Sequence, residues 1–332
     1  FGTIGWIVAN ALVSRILHAD EKALPLQIAG GAGIVLGIYS FTLPHTPPPS
    51  AGQKATVRDV LGLDSLALMK NWSFCVFMFS SMAICVPLAA YYAFAQVFVN
   101  HAGFQDPAWN MSYGQMSEIF FMLVMPLFFK RLGVKWMLFV GMLAWVVRYG
   151  LFSLGADDGV MWMILVGILL HGICYDFFFV TGQIYVDKKA PPKIRGQAQG
   201  FLVLMTQGIG LGIGAQIVQR WIVNPNKAEN IATLESPAKA LRDQWGDLSD
   251  QTTAQANELW QESSKLLLQT HNWENIWQLC AIMAGVIMVL FLVLFHDDTK
   301  AAPTEGEVVD AYSENVPEDP NERQGDRGEA SS

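Results

Sequence analysis

The sequence predicts an all-α membrane protein with about eight helices that cross the bilayer. Of its 332 residues, 52% are hydrophobic and only 15% are charged, whereas about a quarter of the residues are charged in an ordinary soluble domain. Apolar residues gather in long runs, and a helix needs about 20 of them to cross a hydrocarbon core about 30 Å thick. This distribution predicts a lipid bilayer as the surroundings and gives no indication of a nucleic-acid partner.

Eight candidate spans follow one another along the chain. The first two, at about residues 1–19 and 23–44, form a pair, and a polar segment rich in proline and glycine at 45–70 separates this pair from the rest. The other six lie at about 71–99, 111–129, 136–154, 160–195 with a basic turn at its end, 196–223 and 273–295. We expect 71–298 to form one six-helix unit with a polar insertion at 224–272.

The start and the end of the sequence each support a prediction. Phe1 lies directly in an apolar run, without an initiator methionine or the pattern of a signal peptide. We therefore expect the sequence to begin partway through a longer protein, so that residues 1–44 are the last two helices of an N-terminal half. Residues 299–332 are polar and rich in Glu, Asp, Pro, Gly and Ser, which predicts a disordered tail.

Lysine and arginine are unequally shared among the loops, which predicts the orientation in the membrane. Alternate loops contain Lys54, Arg58 and Lys70, then Lys130, Arg131 and Lys135, then Lys188, Lys189, Lys193 and Arg195, whereas the short loops between them contain only Lys22. Positive loops face the cytoplasm, so we place the 45–70 linker, both basic turns and the tail there, in a multi-pass protein of the cell (inner) membrane. The 224–272 insertion then lies outside.

Polar side chains inside the spans are the candidates for function. Gln115 and Glu118 are three residues apart and share a helix face, and a carboxylate within a span is unfavourable unless it faces a polar cavity or a partner. The structural alternative is a hydrogen bond or a pair with Arg148 that only holds the bundle together. For Arg148, as for Arg15 and Arg220, snorkelling towards the membrane surface is an adequate explanation.

A second group lies on the span that begins at 160. His171 and Tyr175 are four residues apart on one face, while Asp176 lies about 100° further round the helix. For Asp176 we favour a functional carboxylate over a structural salt bridge; His171 alone is equally compatible with a hydrogen bond between helices, and Tyr175 with a core aromatic. Tyr92 and Gln96, also four apart, can face a solute.

Two further patterns are assigned to structure. The glycines from Gly208 to Gly214 lie in an apolar span with no preceding strand, so they predict close helix packing through the pairs Gly208/Gly212 and Gly210/Gly214 and not a dinucleotide loop. The four cysteines lie in apolar runs without metal-ligand spacing. The sequence therefore predicts no disulfide framework, metal site or cofactor.

Several phrases resemble the nucleoside:proton symporter family of the major facilitator superfamily. They are FGTIGWI, YGQMSEIFFM, FFKRLGVKWML and HGICYDFFFVTGQIYVD, within a match spread over most of residues 1–223. The resemblance implies a major-facilitator-type bundle with about eight of an expected twelve helices present, the first span corresponding to the family's fifth helix.

The resemblance also implies roles for particular residues. The solute-binding residues are Thr3, Gln115, Glu118, His171, Tyr175 and Asp176, of which Glu118 and Asp176 also couple the proton. The turn with Lys130, Arg131 and Lys135 is similar to the superfamily's cytoplasmic gate loop. One helix departs from the family, because Ala89 and Tyr92 stand where it has a glutamine and an asparagine.

These residues predict a secondary active transporter that imports nucleosides with protons by alternating access, without a cofactor. One alternative is a transporter of another polar solute such as a sugar, which the departure at Ala89 and Tyr92 permits. The alternative from a different class is an intramembrane acid–base enzyme that uses Glu118, His171 and Asp176. The sequence contains no nucleophile motif and no HExxH zinc motif for such an enzyme.

Overall fold

A computed structural model of the chain describes residues 2–20, 22–46, 62–157, 159–248 and 251–298. The described residues are helical apart from their connections and one isolated β-bridge, between Lys227 and His271. The all-α prediction is confirmed. The predicted disordered tail at 299–332 and most of the predicted linker, residues 47–61, lie outside the described residues.

The first two helices are short and apolar. Helix α1 spans Gly2–Ile16 and ends in a π-helical turn, and α2 spans Leu24–Ser40. No residue of α2 is buried, and large side chains such as Leu26 are exposed along it. A 3₁₀ helix at Leu63–Lys70 then leads to the long helices.

Helix α3 spans Trp72–His101, and the Asn71 side chain caps it by accepting a 2.9 Å hydrogen bond from the Phe74 amide. Helix α4 spans Pro107–Leu154 but breaks at Gly133, where φ is 68° and ψ is −177°. The left-handed φ favours glycine. The break lies in the turn predicted from KRLGVK and divides α4 into a first arm, 107–132, and a second arm, 134–154.

The remaining helices complete the bundle. Helix α5 spans Met161–Lys189 and contains a π-helical turn at Tyr175–Val180, α6 spans Pro192–Asn226, and α9 spans Trp273–Leu294. Among the described residues, five helices are long and apolar enough to cross a membrane: α3, α4, α5, α6 and α9. Helix α4 contains two of the predicted spans, and α1, α2, α3, α5, α6 and α9 contain one each. The helices therefore coincide with the eight predicted spans, within a few residues at most ends.

The core lies where α3, the second arm of α4 and α9 meet. Phe98, Phe152 and Trp277 come from these three elements, and their ring centroids are 5.1–5.5 Å apart. Tilted and edge-to-face aromatic pairs at such distances add to the gain from burying their large apolar surfaces. This packing fixes α4 and α3 relative to each other, and with them the polar side chains described below.

Helix α6 packs against α3 through only one of the two predicted glycine pairs. A Cβ on Gly210 would lie 2.7 Å from the Met82 carbonyl oxygen, and one on Gly214 would lie 2.9 Å from Cα of Val86. Among the described residues, a Cβ on Gly208 would meet only Leu204 of its own helix, and one on Gly212 would have no neighbour within 4 Å. The prediction is therefore confirmed for Gly210/Gly214 and wrong for Gly208/Gly212, which lie on the other side of the helix.

The 224–272 insertion folds as two helices, α7 at Ala232–Gly246 and α8 at Ala254–Leu268. They dock on the end of α3, where Arg242 donates a 2.6 Å hydrogen bond to the Asn100 side chain. Trp260 donates a 2.7 Å hydrogen bond to the Gly103 carbonyl and lies under the Arg242 guanidinium. The insertion thus covers one end of the bundle.

Candidate functional site

A cavity of about 420 Å³ lies between α1, α3, the first arm of α4 and α5. Pockets of this size suit small organic ligands. Its polar and charged wall consists of Thr3, Asn10, Gln96, Gln115, Glu118 and His171. Its aromatic wall consists of Trp6, Tyr91, Tyr92 and Tyr175. Five of the six predicted solute-binding residues therefore line one cavity, although they come from three helices far apart in the sequence.

Two glycines bring the first arm of α4 against α5 at this cavity. A Cβ on Gly172 would lie 2.5 Å from the backbone carbon of Ser117, and one on Gly114 would lie 3.0 Å from Cβ of His171. Small residues let helix backbones approach closely in membranes. Because the backbones touch here, Glu118 and His171 stand side by side.

Glu118 is the acidic centre of the cavity and is only 7% exposed. The Thr3 hydroxyl donates a 2.8 Å hydrogen bond to Oε1 of Glu118. On the other side, Nε2 of His171 lies 3.6 Å from Oε2, which is an electrostatic contact and longer than a hydrogen bond. Glu118 thus links α1 to α5 through its two oxygens.

The surroundings of Arg148 correct two predictions. Snorkelling requires the guanidinium to reach the membrane surface, but Arg148 is fully buried on the second arm of α4. Its guanidinium carbon lies 3.5 Å from the centroid of the Tyr91 ring, and Nη1 lies 3.4 Å from Nδ1 of His171. The predicted alternative of a direct pair with Glu118 is also wrong, because His171 stands between the two groups.

Gln115 and Tyr175 both line the cavity. The amide oxygen of Gln115 is buried and has no hydrogen-bond partner among the described residues. The Tyr175 ring packs 5.8 Å from the His171 ring, as their spacing of four residues predicts. Both side chains therefore add hydrogen-bonding groups to the lining of the cavity.

Asp176 does not line the cavity. It is fully buried at the start of the π-helical turn of α5, and neither carboxylate oxygen has a hydrogen-bond partner among the described residues. Turns of this type concentrate at functional sites. The structural alternative of a salt bridge for Asp176 finds no partner in the described part of the chain.

The two positions that depart from the family pattern have different surroundings. Ala89 is buried against α6, where its Cβ lies 3.1 Å from the position of a Cβ on Gly214. Tyr92 lines the cavity, together with Gln96 from the next turn of α3. Tyr92 and Tyr175 also line a second cavity, of about 190 Å³, between α3, α5 and α6. These two tyrosines therefore stand between the two cavities.

Sequence reasoning missed part of the α1 wall. Trp6 and Asn10 line the cavity beside Gly2, and this spacing of four places all three on one face. That periodicity is visible in the sequence. The role of Tyr91, which stacks on both His171 and the Arg148 guanidinium, has no such local signal because its partners come from other helices.

The end of α1 is joined to the start of α4. Asp20 accepts a 3.1 Å hydrogen bond from the Ala108 amide and a 2.7 Å hydrogen bond from the Ser14 hydroxyl. Arg15 forms a 3.2 Å ion pair with Asp106, the residue before α4. At the opposite end of the first arm of α4, Lys130 and Arg131 lie just before the Gly133 break and Lys135 lies just after it. The cavity lies between these two ends.

Comparison with known proteins assigns the chain to a family. A family model described as Nucleoside H+ symporter matches residues 1–234. The chain belongs to this family. It is 36% identical over 326 residues to the putative nucleoside transporter YegT of Escherichia coli (strain K12), an alignment that covers 92% of this chain and 68% of YegT.

Two permeases of the same organism are also similar. The chain is 32% identical to xanthosine permease and 31% identical to nucleoside permease NupG, each over 226 residues that cover 54% of the permease and 65% or 64% of this chain. It thus spans about two thirds of the length of YegT, while its alignments to the two permeases cover about half of each.

A crystal structure of nucleoside transporter NupG superposes with a TM-score of 0.62 at 24% identity, covering 88% of this chain and 65% of that one. The fold is therefore a major-facilitator-type helical bundle in a multi-pass membrane protein. The family and the curated relatives are transporters, so the alternative of an intramembrane enzyme is not favoured.

Proposed function

We propose that this protein imports nucleosides across the cell membrane together with protons, by alternating access to the cavity at Glu118. The observation that carries the proposal is the convergence of Thr3, Gln115, Glu118, His171 and Tyr175 on one cavity in a chain of the nucleoside:proton symporter family. The names of YegT, xanthosine permease and NupG support nucleosides as the solute class.

The chemistry of the cavity suits a nucleoside. A nucleoside combines a planar base, which stacks on aromatic rings, with a sugar whose hydroxyls donate and accept hydrogen bonds. Trp6, Tyr92 and Tyr175 supply ring faces, while the unpartnered Gln115 oxygen and the Glu118 carboxylate supply acceptors. Specificity arises because a solute without matching polar groups would leave these buried atoms unpaired.

Glu118 is our first candidate for proton coupling. Protonation removes the negative charge of Glu118 and so changes its hydrogen bond with Thr3 and its electrostatic contact with His171, and those partners lie on different helices. A proton biases the transport cycle only if its binding free energy differs between the outward-open and inward-open states. A change in the α1 to α4 contact at Thr3 provides such a difference. Asp176 is a second candidate, as a buried carboxylate without a partner in the described residues.

We assign the two ends of the first arm of α4 to opposite sides of the membrane. Lys130, Arg131 and Lys135 lie at the cytoplasmic end, as a gate loop, since basic loops face the cytoplasm. The contacts of Asp20 and Arg15 with the start of α4 then lie at the extracytoplasmic end, beside the insertion. We infer that these contacts separate when the cavity opens outwards.

The proposal is tested by uptake of labelled uridine and adenosine into transport-deficient cells that carry the complete reading frame, with and without a protonophore. We expect saturable accumulation that the protonophore abolishes and that unlabelled nucleosides, but not sugars, compete away. Equal competition by sugars and by nucleosides would show that the site does not select nucleosides. Absence of nucleoside uptake by well-expressed protein would overturn the proposal.

A further inference from the structure

The buried guanidinium of Arg148 has no role in the transport cycle as described so far. It is fully buried, and no carboxylate of the described residues forms an ion pair with it; its Nε and Nη2 atoms have no hydrogen-bond partner there. Burying a charge without an opposite charge beside it is strongly unfavourable. Its contact with His171 and its stacking on Tyr91 therefore need an explanation.

The contact with His171 determines where the imidazole carries its proton. A guanidinium only donates hydrogen bonds, so Nδ1 of His171, 3.4 Å from Nη1, is the acceptor. A neutral imidazole has one acceptor nitrogen and one N–H, which places the hydrogen on Nε2. That nitrogen faces Oε2 of Glu118 at 3.6 Å. If Nδ1 of His171 also carried a proton, its N–H would face the N–H of Nη1 of Arg148, and no acceptor would lie between them.

We propose that Arg148 is a positioning residue, which holds His171 in its Nε2–H tautomer with that N–H directed at Glu118. The proton taken up by this pair during transport then resides on Glu118 and not on His171. Tyr91 completes the arrangement, because it stacks on the guanidinium and lies nearly parallel to the imidazole, with an interplanar angle of 19°. The assignment of the transported proton rests on the proposed function, whereas the tautomer does not.

The tautomer is measured directly by ¹⁵N NMR of the full chain with labelled histidine, reconstituted in lipid. The signal of His171 is identified by its loss in His171→Gln. We expect one neutral tautomer, Nε2–H, in the unmodified protein, and a mixture or the Nδ1–H form in Arg148→Met. A His171 that carries its hydrogen on Nδ1, or on both nitrogens, in the unmodified protein would overturn the proposal, whether or not the variant folds.

Transport separates the role of His171 from that of Glu118. Glutamine at 171 offers an acceptor oxygen and an NH2 donor group, so it can replace both hydrogen-bonding roles of the Nε2–H tautomer, but it cannot take up a proton; leucine offers neither role. We expect accumulation by His171→Gln to exceed that by His171→Leu at least fivefold. Equal loss of accumulation in both, with nucleoside counterflow retained, would make His171 the proton carrier and contradict the proposal. Failure of the proposed function is recognised separately, as absence of nucleoside uptake by the unmodified protein. In that case the tautomer of His171 measured by NMR is the test of the positioning role of Arg148.

Discussion

The hydroxyl of Thr3 donates a 2.8 Å hydrogen bond to Oε1 of Glu118, across 115 positions of the chain. This bond joins α1 to the first arm of α4 at the acidic centre of the cavity. Thr3→Val keeps the shape of the side chain and removes the donor. Since hydrogen bonds to charged groups contribute about 1.5–3 kcal/mol, we expect about a tenfold or greater fall in the kcat/KM of nucleoside uptake.

Thr3→Ser is the matched control for this bond. It retains the hydroxyl and loses only a methyl group, so uptake should stay closer to that of the unmodified protein. Equal uptake by the valine and serine variants, at equal expression, would show that the hydrogen bond to Glu118 has no part in transport.

Gly172 sets the distance between α4 and α5. A Cβ there would lie 2.5 Å from the backbone carbon of Ser117, so Gly172→Ala must push the helices apart and move Glu118 from His171. Overpacking of this kind costs about 1–3 kcal/mol. We expect a lower melting temperature in detergent and reduced uptake. Gly212→Ala is the control, since its Cβ would meet nothing within 4 Å; equal melting temperatures of the two variants would contradict the account.

Asp20 caps α4 from outside that helix. Its carboxylate accepts from the Ala108 amide and from Ser14, whereas Asp106, the residue before α4, makes no side-chain cap and pairs with Arg15. Asp20→Ala should lower the free energy of unfolding by about 1 kcal/mol, as the loss of an N-cap does. The exposed Asp247→Ala provides the control in thermal unfolding, and an equal effect of both variants would refute a capping role.

His271 makes stability depend on pH at the junction before α9. Burial lowers the pKa of His271 to about 4, and the nearby Lys227 charge acts in the same direction, while an unfolded histidine titrates near 6.5. Between these values the unfolded chain binds a proton that the folded chain does not, so stability falls as the pH decreases from about 6.5 to about 4. Above about pH 6.5, His271 is neutral in both the folded and the unfolded chain and no longer affects the stability.

His271→Gln should therefore reduce the difference between the melting temperatures measured at about pH 7 and about pH 4.5. Carboxylates also titrate in this range, so only the difference between variant and unmodified protein is informative. An unchanged pH dependence in the variant would exclude His271 as a contributor.

Helical periodicity alone predicts much of the candidate site. Gln115 with Glu118, and His171 with Tyr175, share faces by their spacing, and both pairs face the cavity. Asp176 follows Tyr175 directly and so lies on another face, which is why it is buried away from the cavity. The span boundaries were predicted to within a few residues at most ends because hydrocarbon thickness constrains their length.

Contacts between helices could not be predicted in this way. From its position along the predicted span at 136–154, Arg148 is expected near a membrane surface. Only the packing of α3 and α5 around it explains why it is buried instead. Gly212 and Gly214 have similar sequence surroundings, yet only Gly214 faces α3. Which face of a uniformly apolar helix meets a neighbour depends on the whole bundle, because hydrophobicity does not distinguish lipid from protein surroundings.

The most direct test of the account is nucleoside transport by Glu118→Gln in the complete protein, with the exposed Glu258→Gln as control. Counterflow exchanges solute without net proton movement, whereas accumulation requires proton binding and release. We predict that Glu118→Gln loses accumulation far more than counterflow, and that Glu258→Gln retains both. Undiminished protonophore-sensitive accumulation by Glu118→Gln would contradict the assignment of the coupled proton to this carboxylate.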